Sequence, residues 1–277
     1  MPGALERDDR SSLLMQRPLP GVNVVRFAGE RPLMRAIPEH YGTTMHLAGR
    51  SHWKSGGAMW SSAPGSISVK VPGEVAVERA REGRLDFQAV LFDAALVDEA
   101  RAALERPIIL PRMRSIDPRD PRAKPLFALH RHLLDEAPAH VLEEAMCESV
   151  HALVDVMSAP RGAEPERHLG FSAAVARARA LLDERYTETV GLEALAAHAR
   201  LDKFRLCRAF REEVGLPPHA YVTYRRITRA QDLLARGMSQ AEVAARVGFY
   251  DQSLLHRHFK RILRLTPGAF VRSIAPP

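Results

Sequence analysis

The hydrophobic pattern changes period along the chain, and the change divides it. Ser66-Ile67-Ser68-Val69-Lys70-Val71 places an apolar side chain at every second position, the period of a half-buried strand. Val22 to Ala28 and Asp86 to Phe92 read as further strands, with turns at Ala63-Pro64-Gly65 and Pro72-Gly73-Glu74. From about Asp93 the spacing lengthens to three and four. Leu126 to Asp135, behind Pro125, and Ala139 to Met157 are predicted helices, the second striped by Val141, Leu142, Ala145, Met146, Val150, Leu153 and Val154. A polar stretch with Pro160, Gly162 and Pro165 reads as a linker, and everything after Phe171 as helices. The expected organisation is α+β: a strand-rich domain with helices over residues 1–158, a linker over 159–170 and an all-α domain over 171–277.

Within the helical region a single pattern occurs twice. Leu206-Cys207-Arg208-Ala209-Phe210-Arg211 returns 49 residues later as Leu255-His256-Arg257-His258-Phe259-Lys260. Leu216, Pro218, Ala220, Tyr221 and Val222 match Leu265, Pro267, Ala269, Phe270 and Val271 at the same offset. Upstream, Leu195-Ala196-Ala197 matches Val243-Ala244-Ala245 at an offset of 48, so the second copy has one more residue in its turn. Each copy reads as a small helix (Leu192–Ala199; Ser239–Val247), a tight turn and a second helix with an aspartate, Asp202 or Asp251, at its N-cap. Leu206 and Phe210, like Leu255 and Phe259, share the buried face. The opposite face carries Phe204, Cys207, Arg208 and Arg211 in one copy, and Ser253, His256, Arg257 and Lys260 in the other. Polar and cationic side chains there are what reach base edges in a major groove. Between the copies, Ala220 to Gly237 reads as one connecting helix decorated by Arg225, Arg226 and Arg229.

Charge sharpens this reading. The net charge is +7, yet residues 1–170 hold 22 basic against 23 acidic side chains, and residues 171–277 hold 18 against 10. The whole basic excess lies in the helical region, as expected of a domain that faces a polyanion. No stretch approaches the roughly 18 apolar residues of a membrane span, the first ten residues do not read as a secretory signal, and two cysteines are too few for a disulfide framework. A cytoplasmic protein, on the nucleoid when bound to DNA, is expected.

Residues of about 172–274 resemble the DNA-binding domain of AraC/XylS-type transcription regulators. The resemblance rests on Arg226-Ile227-x-x-Ala230-x-x-Leu233-Leu234, then Val243-Ala244-x-x-Val247-Gly248-Phe249, then Phe259-Lys260 and Thr266-Pro267. It implies DNA contacts from Phe204, Cys207 and Arg208 on one recognition helix, and from Gln252, Ser253, His256 and Arg257 on the other. Cys207 is a poor hydrogen-bonder, so the first copy leans on Arg208, which can pair bidentately with guanine. The resemblance also implies a cupin-like β-barrel before the DNA reader, followed by dimerisation helices. The apolar stripe of 126–157 can serve a homodimer or pack on its own barrel. Trp53, Trp60 and Phe87 are candidates to line an effector pocket in the barrel, or simply to fill its core.

The expectation is a sequence-specific transcription regulator, an activator working through RNA polymerase, that answers to a small-molecule effector. No catalytic residues and no cofactor are expected. His40, His46 and His52 make no compact ligand set, and the position after the Pro72-Gly73-Glu74 turn where such barrels often carry histidine is Ala76. Two alternatives stay open: an architectural DNA binder with little sequence preference, and a cupin-type enzyme carrying a DNA-binding domain.

Overall fold

The computed structural model describes residues 11–30, 33–55, 58–104, 115–116, 118–158 and 171–274. The chain divides into two compact units, one of residues 6–168 and one built mainly of residues 169–277. The linker expected at 159–170 lies outside the described residues.

The first unit is built on one antiparallel sheet. Its strands are β1 (Ser11–Leu19), β2 (Val22–Gly29), β3 (Arg35–Ala36), β4 (Tyr41–Ser55), β5 (Ala58–Ser62), β6 (Ile67–Lys70), β7 (Ala76–Phe92) and β8 (Ser115–Ile116). They run in the order β1-β2-β7-β4-β6-β8, with β3 on β7 and β5 on β4. The long β4 and β7 form the spine. Their register slips between His46 and Ala48, between Ala48 and Arg50, and between His52 and Trp53. Irregularities of this kind bend a strand and raise its twist. The three expected strands are present, Asp86 to Phe92 being the end of the longer β7.

Helices α1 (Ala94–Leu104), α2 (Lys124–Leu134) and α3 (Ala139–Met157) cover one face of this sheet. Val24, Met45, Ile67, Val69, Val90 and Phe92 of the sheet share a core with Val97, Leu126, Leu129, Leu142, Leu153 and Met157. The apolar stripe of 126–157 is therefore used within its own chain. Alternation sends the next residues of β7 to the opposite face, where Leu85, Phe87 and Ala89 pack with Phe27. A buried polar cluster fastens α2 to the sheet. His130 Nε2 lies 2.9 Å from Thr43 Oγ1, and Gln88 Nε2 donates to the His130 carbonyl at 2.9 Å. Arg26 Nε closes the chain of contacts on Gln88 Oε1 at 2.8 Å.

The second unit is all helix: α4 (Ala173–Glu184), α5 (Leu192–Ala199), α6 (Lys203–Val214), α7 (Pro218–Ala235), α8 (Gln240–Arg246), α9 (Gln252–Leu263) and α10 (Pro267–Ile274). The sequence repeat is a packing repeat. Phe210 meets Tyr221 edge-on at 5.7 Å, and their counterparts Phe259 and Phe270 do the same at 5.5 Å. All four side chains are buried, as are Leu206 and Leu255. No helix among the described residues is long and apolar enough to cross a membrane.

Candidate nucleic-acid interface

Each recognition helix starts where the sequence has an aspartate. Asp202 Oδ1 accepts from the backbone N–H of Phe204 and of Arg205, both at 3.0 Å, and Asp251 Oδ1 from that of Leu254 at 2.7 Å. Such caps satisfy amide groups that the first turn of a helix leaves open. The preceding α8 starts on a full capping box, Ser239 with Glu242. Serine and backbone donors hold the Glu242 carboxyl below its ordinary range.

With Leu206, Phe210 and Val214 buried, α6 turns the expected face outward. Phe204 is 77% exposed, Arg208 and Arg211 are exposed, and Cys207 is half-buried at the edge. On α9, Gln252, Ser253, His256, Arg257 and Lys260 are all exposed, while Leu255 and Phe259 are buried. The nine residues thus fall into two clusters, one on each helix.

The faces differ electrostatically. Arg208 Nε donates to Glu212 Oε1 at 3.0 Å, one turn further on, so the first cation is partly neutralised. Four residues after Arg257 stands Arg261, and α9 contains no acidic residue. Arg261 donates to His258 Nδ1 at 2.9 Å. Burial, and then the charges of Arg261, Arg257 and Arg226, hold the His258 pKa below its ordinary value, which suits that acceptor role. The second helix presents the stronger positive face.

The arginines of the connecting helix have another task. Arg225 pairs with Asp183 at 3.1 Å, and Arg226 donates to the carbonyls of Tyr186 and Glu188 at 2.6 and 2.8 Å. Arg226 also lies 5.7 Å from the centre of the Phe249 ring. Arg229 pairs with Asp232 at 2.7 Å. The first two tie α7 to α4 itself and to the segment that follows it, instead of standing free in solvent. Tyr221 joins the same joint, donating to Asp183 Oδ1 at 2.6 Å, and burial above all pushes its pKa up to about 12.

In the sheet unit the three candidate effector residues separate. Trp53 and Trp60 are cross-strand partners on β4 and β5, stacked 5.7 Å apart at 11°. Phe87 instead stacks on Phe27 at 5.5 Å. Both indole nitrogens are buried without a hydrogen-bond partner among the described residues, as is the hydroxyl of Ser62. Nearby, Glu78 is buried and accepts from Ser51, Arg81 and the Met34 amide. Burial raises its pKa, yet these donors outweigh burial and leave the carboxyl below its ordinary value. The three histidines have separate neighbours: His40 lies 3.6 Å from Asp93, His46 3.2 Å from Ser68, and His52 2.8 Å from Ser61. Among the described residues, no three His, Cys, Asp or Glu side chains are grouped to hold a metal ion.

Two features of the interface escape a reading of the sequence. One is the Arg208–Glu212 pair, although its i,i+4 spacing is visible there. The other is Tyr250, 94% exposed at the entrance to α9.

Comparison with known proteins agrees with this geometry. A family model described as a helix-turn-helix domain matches residues 195–273. The chain is 36% identical over 72 residues to the HTH-type transcriptional regulator YbfI of Bacillus subtilis, covering 26% of each protein. It is 34% identical over 80 residues to the HTH-type transcriptional regulator MtrA of Neisseria gonorrhoeae, covering 28% of this chain and 27% of that one. The matched region spans about a quarter of these curated relatives. The whole chain resembles ToxT from Vibrio cholerae in fold. An apo ToxT variant aligns with a TM-score of 0.55 at 10% identity, over 96% of this chain and 97% of that one. ToxT bound to an unsaturated fatty acid aligns with a TM-score of 0.51 at 10% identity, over 98% of both chains.

Proposed function

Because residues 195–273 are a helix-turn-helix domain of the AraC/XylS type, we propose that the chain is a sequence-specific DNA-binding transcription regulator. The observation that carries the proposal is the pair of aspartate-capped helices whose uncovered faces hold Arg208 and Arg211 on one side and His256, Arg257 and Lys260 on the other. Both would enter successive major grooves, with bases read by Arg208, Gln252, Ser253, His256 and Arg257, and with Phe204 and Cys207 in apolar contact. Selection of random duplexes by the full chain, followed by sequencing, tests this. Two enriched blocks about one helical turn apart are expected. A pool that stays random would leave an architectural binder in its place.

The two arginines should not weigh equally. Arg257→Ala should cost about 1–3 kcal/mol of specific binding. Arg208→Ala should cost less, because the arginine must first leave Glu212. Equal losses in a titration of the selected duplex would refute that asymmetry.

The proposal extends to regulation. A small molecule seated in the sheet unit would shift the balance between forms with different affinity for DNA. Support comes from the stacked Trp53 and Trp60, whose indole N–H groups have no partner among the described residues, and from the fold shared with ToxT, which binds a fatty acid. Phe87, packed on Phe27 in a separate cluster, is not grouped with the two tryptophans. By family resemblance the output is activation through RNA polymerase, and the working form a homodimer. The dimer contact would use the outer face of α3, with His140, Glu143, Cys147 and His151, because the apolar stripe is already covered. Sedimentation of the full chain tests the dimer.

A further inference from the structure

The two helix-turn-helix copies fall out of step at a single residue. Ala199 and Val247 are both buried, and the next residues, Arg200 and Gly248, are both left-handed, with φ of 59° and 84°. Leu201 and Phe249 follow, still 48 apart, but the capping Asp202 and Asp251 are 49 apart. The residue without a counterpart is Tyr250. Its side chain is 94% exposed, the most of any large apolar residue described, and its hydroxyl has no partner among the described residues. The insertion leaves the flanking structure intact, since Phe249 is buried against His258 at 5.4 Å and Asp251 still caps α9.

We propose that Tyr250 is a DNA-contacting residue that grips the sugar–phosphate backbone at the lip of the groove entered by α9. The inference rests on the DNA-binding reading above. A residue just ahead of the N-cap stands beside the end of the helix that goes deepest, so it faces the strand bordering the groove and not the base edges. The surroundings suit a polyanion, with Arg257, Lys260 and Arg261 on the adjoining helix and no acidic residue on it. A tyrosine hydroxyl is a phosphate donor, while its ring covers the deoxyribose. The contact therefore positions the reader and carries no sequence preference of its own.

A neutral donor has a signature that separates it from the cations around it. It releases no counterion, so its loss weakens binding by one factor at every salt concentration, whereas loss of a phosphate-bound lysine lowers the salt slope by about one. The test is a titration of the selected duplex by the full chain and by Tyr250→Phe, Tyr250→Ala and Lys260→Ala, from low to physiological salt. Tyr250→Phe should weaken binding about two- to tenfold, Tyr250→Ala at least as much, both with the parental salt slope, thermal midpoint and selected sequence. Parental affinity in Tyr250→Ala would overturn the proposal. So would a changed base preference, or normal DNA binding with lost transcription in vitro, which would point to a protein partner. A parent that binds no duplex would instead overturn the DNA-binding reading itself.

Discussion

Arg200 occupies a backbone conformation that its repeat counterpart fills with glycine. A left-handed arginine costs roughly 1–2 kcal/mol that glycine does not, partly offset by the greater freedom of glycine in the unfolded chain. Arg200→Gly should therefore stabilise the helical unit by about 0.5–1 kcal/mol, seen as a higher midpoint in helical circular dichroism. The glycines themselves are not equivalent. A Cβ on Gly248 would stand 2.1 Å from the Thr187 carbonyl oxygen, whereas one on Gly237 would meet nothing within 4 Å. Gly237→Ala should thus cost only the left-handed strain, about 1 kcal/mol, and Gly248→Ala about 2 kcal/mol or more. Equal losses would mean that the close approach to Thr187 relaxes freely. At this scale the sequence is legible where the signal is local. Asp202 and Asp251 can be read as caps because a cap acts within three residues. Arg225 and Arg226 look like surface decoration in the sequence because their partners lie about forty residues back in the chain.

Among the elements, α2 and the sheet are joined through a histidine that must stay neutral. Burial first, and then the nearby His46, lowers the His130 pKa from 6.5 to about 3. As pH falls, the unfolded chain takes up that proton before the folded one does. The stabilising contribution is therefore complete above about pH 6.5 and erodes from there toward about pH 3. Its slope can reach about 1.4 kcal/mol per pH unit. The only two tryptophans lie in this unit, so their fluorescence follows its unfolding specifically. Urea titrations between pH 6 and 4 should show a clear loss of stability in the parent and a flatter profile in His130→Gln; parallel profiles would acquit the histidine. This joint explains why the sheet is only partly legible in sequence. Tyr41 to Ser55 buries Thr43, Thr44, His46, Ser51 and Ser55, and its register slips. Polar interior residues and an interrupted alternation hide a strand from a search for apolar periodicity. Helix α3 is legible to its ends, since its stripe is apolar over nearly all of the buried face.

Across the whole molecule, the basic excess confined to residues 171–277 should govern how binding responds to salt, with a steep fall in affinity as salt rises. Many of those cations are committed within the unit, as Arg226, Arg229 and Lys203 are, so the slope should count far fewer phosphates than eighteen. The two helix-turn-helix copies are legible in sequence because a repeat reports itself; the electrostatic difference between them is not, because it depends on which arginine has a carboxylate within reach. The connecting helix α7 spans Pro218–Ala235, with one face buried, one arginine paired with α4 and the next locked to the segment after it. A spacer of that build does not bend to suit its substrate, so any misfit in pitch or curvature falls on the duplex. The elastic work of bending is cheaper at some base steps than at others. Sites of equal contact chemistry would then rank by the stiffness of the untouched base pairs between the two blocks, and a flexible pyrimidine–purine step there would act as a silent letter of the recognition code.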